Sequence, residues 1–175
     1  MSACPVWAEE GTGASGPTPR GGSLAVDKPP PDEGSDLAEA IDDVAYPIII
    51  GTGLYLYARD GRAALSDHAS ALVTALAISE LLKNVVHSER PNHKDDRSFP
   101  SGHTATAFAG AAVAAHYHPD QSALFYGLAA AIAWSRVDMR EHRFRDVLAG
   151  ALIGLAAGQS ATGERSYIPV LQLRF

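Results

Sequence analysis

From Asp36 onward, long apolar runs alternate with short polar breaks, and this pattern predicts a series of helices. Each break contains residues that start or stop helices, or a proline, whose ring disfavours helix in the residue before it. We expect five helices: from Asp36 to the Arg59-Asp60-Gly61 break, from Ser66 or Asp67 through Val86 to just before Pro91, from Pro100 to Pro119, from after Asp120 to about Trp134, and from about His142 to Gly158. The predicted fold class is all-α, a compact helical bundle of about five to six helices over residues 37–175.

The predicted helices are rich in alanine and glycine, most of all at residues 105–115, 129–133 and 149–158. Small side chains let helix axes approach closely, which suits a compact bundle as well as membrane helices. The strictly apolar stretches are shorter than the roughly 20 residues that cross a bilayer core, which favours a soluble or peripheral bundle. A membrane-embedded bundle stays open, because residues 147–163 form a longer stretch without charge.

Composition separates the first part of the chain from the rest. Residues 1–36 are rich in glycine and proline, include the Pro29-Pro30-Pro31 run and show almost no apolar periodicity. Such a segment buries too little surface to offset the entropy of ordering it, so we expect a disordered acidic leader. The 175 residues carry a formal net charge of −6, and this acidic excess lies within residues 1–43. The overall acidity disfavours a nucleic-acid-binding protein.

The cysteine and histidine residues limit which disulfide and metal sites the chain can form. The single cysteine, Cys4, excludes a disulfide framework and a cysteine-rich metal site. His116 and His118 are expected on different helix faces without a third ligand nearby, so we expect no metal there. Val6-Trp7-Ala8 resembles the end of a signal peptide, but no basic and long apolar regions precede it, so export is a hypothesis.

Three clusters of polar and charged residues form a candidate anion site. Lys83 and Arg90 are nearly two helical turns apart, which predicts that both project from one face of the second helix, a face that His87 shares. Pro100-Ser101-Gly102-His103 opens the third helix, where free backbone N–H groups and the positive end of the helix dipole favour an anion. Taken alone, such features are usually solvated charges and helix caps.

The third cluster combines Ser135-Arg136 with His142 and Asp146. His142 and Asp146 are four residues apart and are expected to share a helix face, so Asp146 can accept a hydrogen bond from one imidazole nitrogen and leave the other free. On its own, such a pair is usually structural. Three cations, a helix N-terminus and two histidines together are what is needed to hold a tetrahedral oxyanion and transfer its central atom.

The pattern K-x6-RP, PSGH and SR-x5-H-x3-D resembles the three-part signature of the type 2 phosphatidic acid phosphatase and vanadium haloperoxidase superfamily. Every position of the signature is filled in order, over residues 83–146. Two features depart from the usual family pattern. Only residues 92–99 separate the first two motifs, which excludes a large insertion there. Extra charge surrounds His142, from Glu141, Arg143 and Arg145. This charge favours a site that opens to water or to a membrane interface.

The resemblance implies a metal-independent phosphatase that uses no cofactor. His142 is then the nucleophile that forms a phosphohistidine, Asp146 orients it, and His103 is the general acid and later the base. The phosphate oxygens are bound by three cations, a hydroxyl and a backbone N–H, from Lys83, Arg90, Arg136, Ser101 and Gly102. The implied substrate is a phosphate monoester, either a lipid phosphate such as phosphatidic acid or a small organic phosphate.

Two other functions remain open from the sequence. A vanadate-dependent haloperoxidase would use the same residues, with His142 ligating vanadium, although those relatives are much larger. A non-catalytic helical bundle that binds an anion would need only the cations, so the presence of both histidines and Asp146 favours an enzyme. The expected partners are a phosphorylated small-molecule or lipid substrate and a membrane surface, in an exported, periplasmic or membrane-associated protein.

Overall fold

A computed structural model describes residues 34–163 of the chain. It contains five α-helices: α1 (Asp36–Asp60), α2 (Arg62–Val85), α3 (Gly102–Tyr117), α4 (Ser122–Asp138) and α5 (Phe144–Ala161). A short 3₁₀ helix, Pro119–Gln121, joins α3 to α4, and β-pairing within the described residues is limited to one bridge between Ser88 and Arg97. The all-α prediction is confirmed. The predicted leader up to residue 33, and residues 164–175 of the predicted domain, lie outside the described residues.

Helix α3 lies at the centre of the bundle and packs against the other four α-helices. Its sequence, GHTATAFAGAAVAAHY, is apolar on all sides rather than along one stripe, which is the pattern of a buried helix. Eleven of its 16 residues are buried, and nearly all of these are alanine, glycine or threonine. Because these side chains are small, neighbouring helices pack close to the α3 backbone.

The closest of these contacts joins α3 to α5. Three glycines, each four residues from the next, form one face of α5: Gly150, Gly154 and Gly158. A Cβ atom at Gly154 would lie 2.3 Å from the carbonyl oxygen of Ala105, and one at Gly150 would lie 2.5 Å from that of Ser101. Since real Cβ atoms do not come so close to backbone oxygens, any side chain at these positions would push the two helices apart.

The N-termini of α3 and α5 are tied to each other. Ser101 caps α3 with its hydroxyl, which accepts from the backbone N–H of Thr104 at 3.4 Å. The backbone N–H of Ser101 donates to the carbonyl oxygen of Asp146 at 3.0 Å. Asp146 in turn caps α5, because its Oδ2 accepts from the backbone N–H of Arg143 at 2.9 Å. Both helices therefore begin at the same end of the bundle.

Helix α2 ends at Val85, so the prediction that Lys83 and Arg90 share one helix face is wrong. The chain leaves helical geometry because the following loop pairs with itself. Within that loop, the backbone N–H of Ser98 donates to the carbonyl oxygen of Ser88 at 2.8 Å. Lys83 therefore lies in the last turn of α2, whereas Arg90 lies in the loop between α2 and α3.

Helix α5 begins at Phe144, so the prediction that His142 and Asp146 share a helix face is also wrong. The reason is the cap of this helix. Arg143 is the N-cap residue, with extended backbone at φ −81° and ψ 158°, and Asp146 binds the Arg143 N–H from the third helical position. His142 consequently precedes the helix, and the four-residue spacing no longer places its ring above Asp146.

Large apolar side chains are exposed on the outer faces of the bundle. On α1, Ile50 and Leu54 are 61% and 62% exposed, and on α2, Val73 and Leu81 are 67% and 66% exposed. In the described part of the chain, α2 is also the one helix that is long and apolar enough to cross a membrane, and only 22% of its apolar window is buried. The bundle therefore presents apolar surface outward as well as inward.

Replacing Gly154 with alanine is expected to lower the free energy of unfolding by about 1–3 kcal/mol, because the added methyl group meets the α3 backbone. The matched control is Gly127→Ala in α4, where a Cβ atom has no neighbour within 4 Å. There the better helix propensity of alanine is expected to raise stability by up to about 1 kcal/mol. Thermal and denaturant unfolding measure both effects. Equal stability of the two variants would contradict the close α3–α5 contact.

Candidate active site

The candidate site lies at the end of the bundle where α3 and α5 begin. Arg90, in the loop before α3, donates to the carbonyl oxygen of Glu141 at 3.3 Å, which joins this loop to the one before α5. The backbone N–H of His142 donates to the carbonyl oxygen of Arg136 at 3.0 Å, which holds the second loop on the end of α4. The candidate site residues from the sequence lie at the C-terminal ends of α2 and α4, at the N-terminal ends of α3 and α5, and in the loops before α3 and α5: Lys83, Arg90, Ser101, Gly102, His103, Arg136, His142 and Asp146.

Lys83 brings a cation to the start of α3. A Cβ atom built on Gly102 would lie 3.5 Å from the Lys83 ammonium, so the ammonium group lies beside the first residue of α3. Only 12% of the Lys83 side chain is exposed, and its Nζ donates to Glu80 Oε1 at 2.9 Å. The first backbone N–H groups of a helix have no partner within the helix. A cation and the positive end of the α3 dipole therefore lie side by side.

Arg90 is held by two carboxylates. Its Nε donates to Asp95 Oδ1 at 2.7 Å, and its Nη1 donates to Glu141 Oε2 at 2.5 Å. The other oxygen of Glu141 accepts from Lys94 at 2.6 Å, and only 12% of the Glu141 side chain is exposed. Burial alone would raise the pKa of Glu141, but the hydrogen bond from Lys94 and the charges of Lys94 and the nearby arginines lower it below its ordinary value.

Arg136 is almost completely buried, with 7% of its side chain exposed. Its Nη1 pairs with Asp42 of α1, and its Nη2 lies 3.7 Å from Glu141 Oε2. Among the described residues, its Nε has no hydrogen-bond partner. Glu141 thus lies between the guanidinium groups of Arg90 and Arg136, and its negative charge offsets the repulsion between them.

Asp42, Glu141 and Ser98 contact the candidate residues, but the sequence analysis did not assign them to the site. The acidic excess of residues 1–43 does not belong to a leader alone, because Asp42 lies in α1 and pairs with Arg136. The sequence shows only that Asp42 and Tyr46 are four residues apart and share a face of α1; the structure adds that this face lies against the site, because the Tyr46 ring contacts that of His103. For Glu141, the available signal is its position directly before the candidate nucleophile.

His142 is buried, with 3% of the residue exposed. Its Nδ1 lies 2.6 Å from the carbonyl oxygen of Ser98. A carbonyl oxygen only accepts, so Nδ1 carries the proton and the neutral ring has its lone pair on Nε2. Burial is the main cause that lowers the pKa of His142 to about 4, and the charge of Arg90 lowers it further. The imidazole is therefore neutral at pH 7.

Asp146 is fully buried but makes no direct hydrogen bond to His142, contrary to the prediction. Its Oδ2 accepts from the hydroxyl of Ser98 at 2.5 Å and from the backbone N–H of Arg143 at 2.9 Å. Its Oδ1 lies 3.4 Å from Nε of Arg145. Ser98 thus connects Asp146 to His142, because its hydroxyl donates to the Asp146 carboxylate and its carbonyl oxygen accepts from the His142 imidazole.

His103 lies in the first turn of α3, and its ring packs against Tyr46 with 4.7 Å between the ring centroids. Burial is the main cause that lowers the pKa of His103 below its ordinary value, and the positive charges of Arg136, Lys83 and Arg90 lower it further, against the charge of Asp42, which raises it.

Ser101 and His87 are two further residues that the sequence analysis considered. Ser101 is fully buried, and its hydroxyl serves as the cap of α3. His87 lies outside the site, because its side chain is 70% exposed and pairs with Asp96 at 3.1 Å. Within residues 34–163, no group of three or more histidine, cysteine, aspartate or glutamate side chains is placed to hold a metal ion.

Comparisons with known proteins point to one family. A model of the PAP2 superfamily matches residues 64–163, which is more than half of the chain. The crystal structure of Aquifex aeolicus LpxE is similar with a TM-score of 0.60 and 26% sequence identity, over 73% of this chain and 81% of that chain. No curated protein matches the chain. The resemblance stated from the motifs is confirmed: the chain belongs to the PAP2 superfamily and is a hydrolase of its phosphatase type.

Proposed function

We propose that the chain hydrolyses phosphate monoesters without a metal ion, through a phosphohistidine at His142. The observation that carries this proposal is the hydrogen bond from His142 Nδ1 to the Ser98 carbonyl oxygen. It leaves a lone pair on Nε2 of a ring that is neutral at pH 7. A neutral imidazole with a fixed lone pair is the form of histidine that attacks phosphorus.

The phosphate group would be bound by Lys83, Arg90 and Arg136, together with the hydroxyl of Ser101 and the backbone N–H of Gly102 at the start of α3. The three cationic side chains are 12%, 15% and 7% exposed, so their charges are only weakly screened by water. Negative charge spreads over the non-bridging oxygens in the transition state of phosphoryl transfer, and preorganised cations stabilise it. The proposed reaction needs no cofactor, because these groups supply the neutralisation.

The reaction would proceed in two steps. In the first, His142 Nε2 forms a bond to phosphorus while the bond to the leaving oxygen breaks, and His103 donates a proton to that oxygen. In the second, His103 takes a proton from water, and the water oxygen attacks phosphorus as the phosphorus–nitrogen bond breaks. Inorganic phosphate leaves, and both histidines return to their starting forms. Asp146 would hold His142 in place indirectly, because it binds the hydroxyl of Ser98, whose carbonyl oxygen accepts from His142 Nδ1.

We further infer that the substrate is a lipid phosphate and that the protein is exported or membrane-associated. Phe144, two residues after His142, is 71% exposed, and Leu148, one turn further along α5, is 50% exposed. Apolar surface therefore leads up to the end of the bundle that holds the site. A phosphate attached to an apolar body can place its anionic group among the cations and its body on this surface.

Replacing either histidine of the proposed pair is expected to remove most phosphate release from p-nitrophenyl phosphate in EDTA. His142→Ala removes the nucleophile, and we expect activity at background. His103→Ala removes the proton donor and is expected to cost about 10²- to 10⁴-fold in kcat. The matched control is His87→Ala, an exposed histidine outside the site, which is expected to retain full activity. Activity that survives in His142→Ala would contradict the covalent mechanism.

The His142 imidazole is expected to titrate at about pH 4, well below the ordinary value of 6.5. Because burial and the charge of Arg90 disfavour the imidazolium, the neutral form persists on acidification until the pH approaches that value. Protonation then removes the nucleophile. Histidine NMR across pH 3.5–8, assigned with His142→Ala, measures the midpoint directly. A midpoint near 6.5 would show that the ring is not held in a dry, positively charged site.

The apolar surface next to the site is expected to matter for lipid substrates only. A double variant, Phe144→Ser with Leu148→Ser, removes two exposed apolar side chains and is expected to reduce phosphate release from phosphatidic acid vesicles roughly tenfold. Release from p-nitrophenyl phosphate should change less than twofold, which serves as the internal control. Vesicle flotation of both proteins measures membrane binding independently. Equal losses on both substrates would show that these residues support the fold rather than a lipid surface.

A further inference from the structure

Ser98 uses three of its atoms to connect parts of the candidate site, although none of the three sequence motifs includes it. The residue is fully buried. Its backbone N–H donates to Ser88 at 2.8 Å, its hydroxyl donates to Asp146 Oδ2 at 2.5 Å, and its carbonyl oxygen accepts from His142 Nδ1 at 2.6 Å. No other residue described in the structure hydrogen-bonds to both His142 and the Asp146 side chain.

These contacts determine what the His142 ring can do. The Ser98 carbonyl fixes the proton on Nδ1, and it also fixes the direction in which Nε2 points. The carbonyl is held in turn by the hydroxyl of the same residue, which is anchored on a buried carboxylate. The chain of contacts therefore runs from Asp146 to Ser98 to His142.

We propose that Ser98 is the positioning residue of the nucleophile, and that Asp146 acts on His142 through it rather than by direct contact. The inference rests on the proposed function, in which His142 attacks phosphorus. When the phosphohistidine forms, the ring becomes positively charged, and its Nδ1 proton is shared more strongly with the carbonyl oxygen. Ser98 thus selects the reactive tautomer before attack and stabilises the charged ring after it.

The hydroxyl is the part of Ser98 that a substitution can test. Ser98→Ala keeps the backbone carbonyl but removes its anchor on Asp146, so the carbonyl and the ring are free to shift. Ser98→Cys keeps nearly the same size with a weaker donor. The matched control is Ser88→Ala, which removes a serine hydroxyl from the other side of the same backbone pairing, where the hydroxyl contacts only Arg145 at 3.3 Å.

We expect Ser98→Ala to lower kcat for p-nitrophenyl phosphate about 10- to 100-fold, as is typical when a group that orients a metal-ligating histidine is removed, with KM changed less than about threefold. Ser98→Cys should fall between the unmodified chain and Ser98→Ala, and Ser88→Ala should match the unmodified chain. If Asp146 acts through Ser98, Asp146→Asn in the Ser98→Ala background should cost much less than Asp146→Asn alone. Additive losses would overturn the proposed order of contacts.

A second readout does not depend on activity. In ¹⁵N-histidine spectra of the unmodified chain, we expect His142 as a single tautomer with the proton on Nδ1, and in Ser98→Ala we expect a mixture of both tautomers. Unchanged tautomer and kcat in Ser98→Ala would overturn the proposal. If Ser98→Ala does not fold, as judged by its unfolding transition, Ser98→Cys supplies the same comparison. Failure of the phosphatase mechanism itself is seen separately, as activity retained by His142→Ala.

Discussion

The close contact between α3 and α5 is the constraint on which the candidate site depends. α3 carries His103 in its first turn, and His142 directly precedes the cap of α5. The distance between the two imidazoles is therefore fixed by how closely these helices approach. The glycine face of α5 permits this approach, and the hydrogen bond from Ser101 N–H to the Asp146 carbonyl locks the helix starts together. The small residues between α3 and α5 thus determine where His103 and His142 lie at the end of the bundle.

Electrostatics impose a second condition, because three nearly buried cations cannot lie together without negative charge beside them. The structure supplies it with carboxylates that pair directly with the cations, namely Glu80, Asp95, Glu141 and Asp42. Under the proposed function, an incoming phosphate competes with Glu141 for the donors of two arginines. A phosphate monoester dianion carries more charge than a carboxylate, so the arrangement favours phosphate over singly charged anions.

The sequence predicted the fold class and indicated which residues to consider as candidates for the site, because long apolar runs and motifs of charged and polar residues are visible in one chain. The ends of the helices were predicted less well, since they depend on contacts between distant residues. α2 ends where a loop pairs with itself, and α5 starts where Asp146 caps it. Periodicity describes faces of helices, so it could not show that His142, in a loop, bonds to Ser98.

Asp146 shows how the fold and the proposed chemistry use the same hydrogen bonds. Its carboxylate is fully buried, which is unfavourable unless the charge is compensated. The Arg143 N–H at the cap of α5 and the Ser98 hydroxyl bind Oδ2, and the Arg145 guanidinium lies 3.4 Å from Oδ1, which accepts no hydrogen bond among the described residues. The same negative charge raises the proton affinity of His142, against the effects of burial and Arg90, which lower its pKa to about 4. Without Asp146 the ring would be less basic still, and under the proposed function the positive charge formed on it during phosphoryl transfer would lose the stabilising effect of this carboxylate.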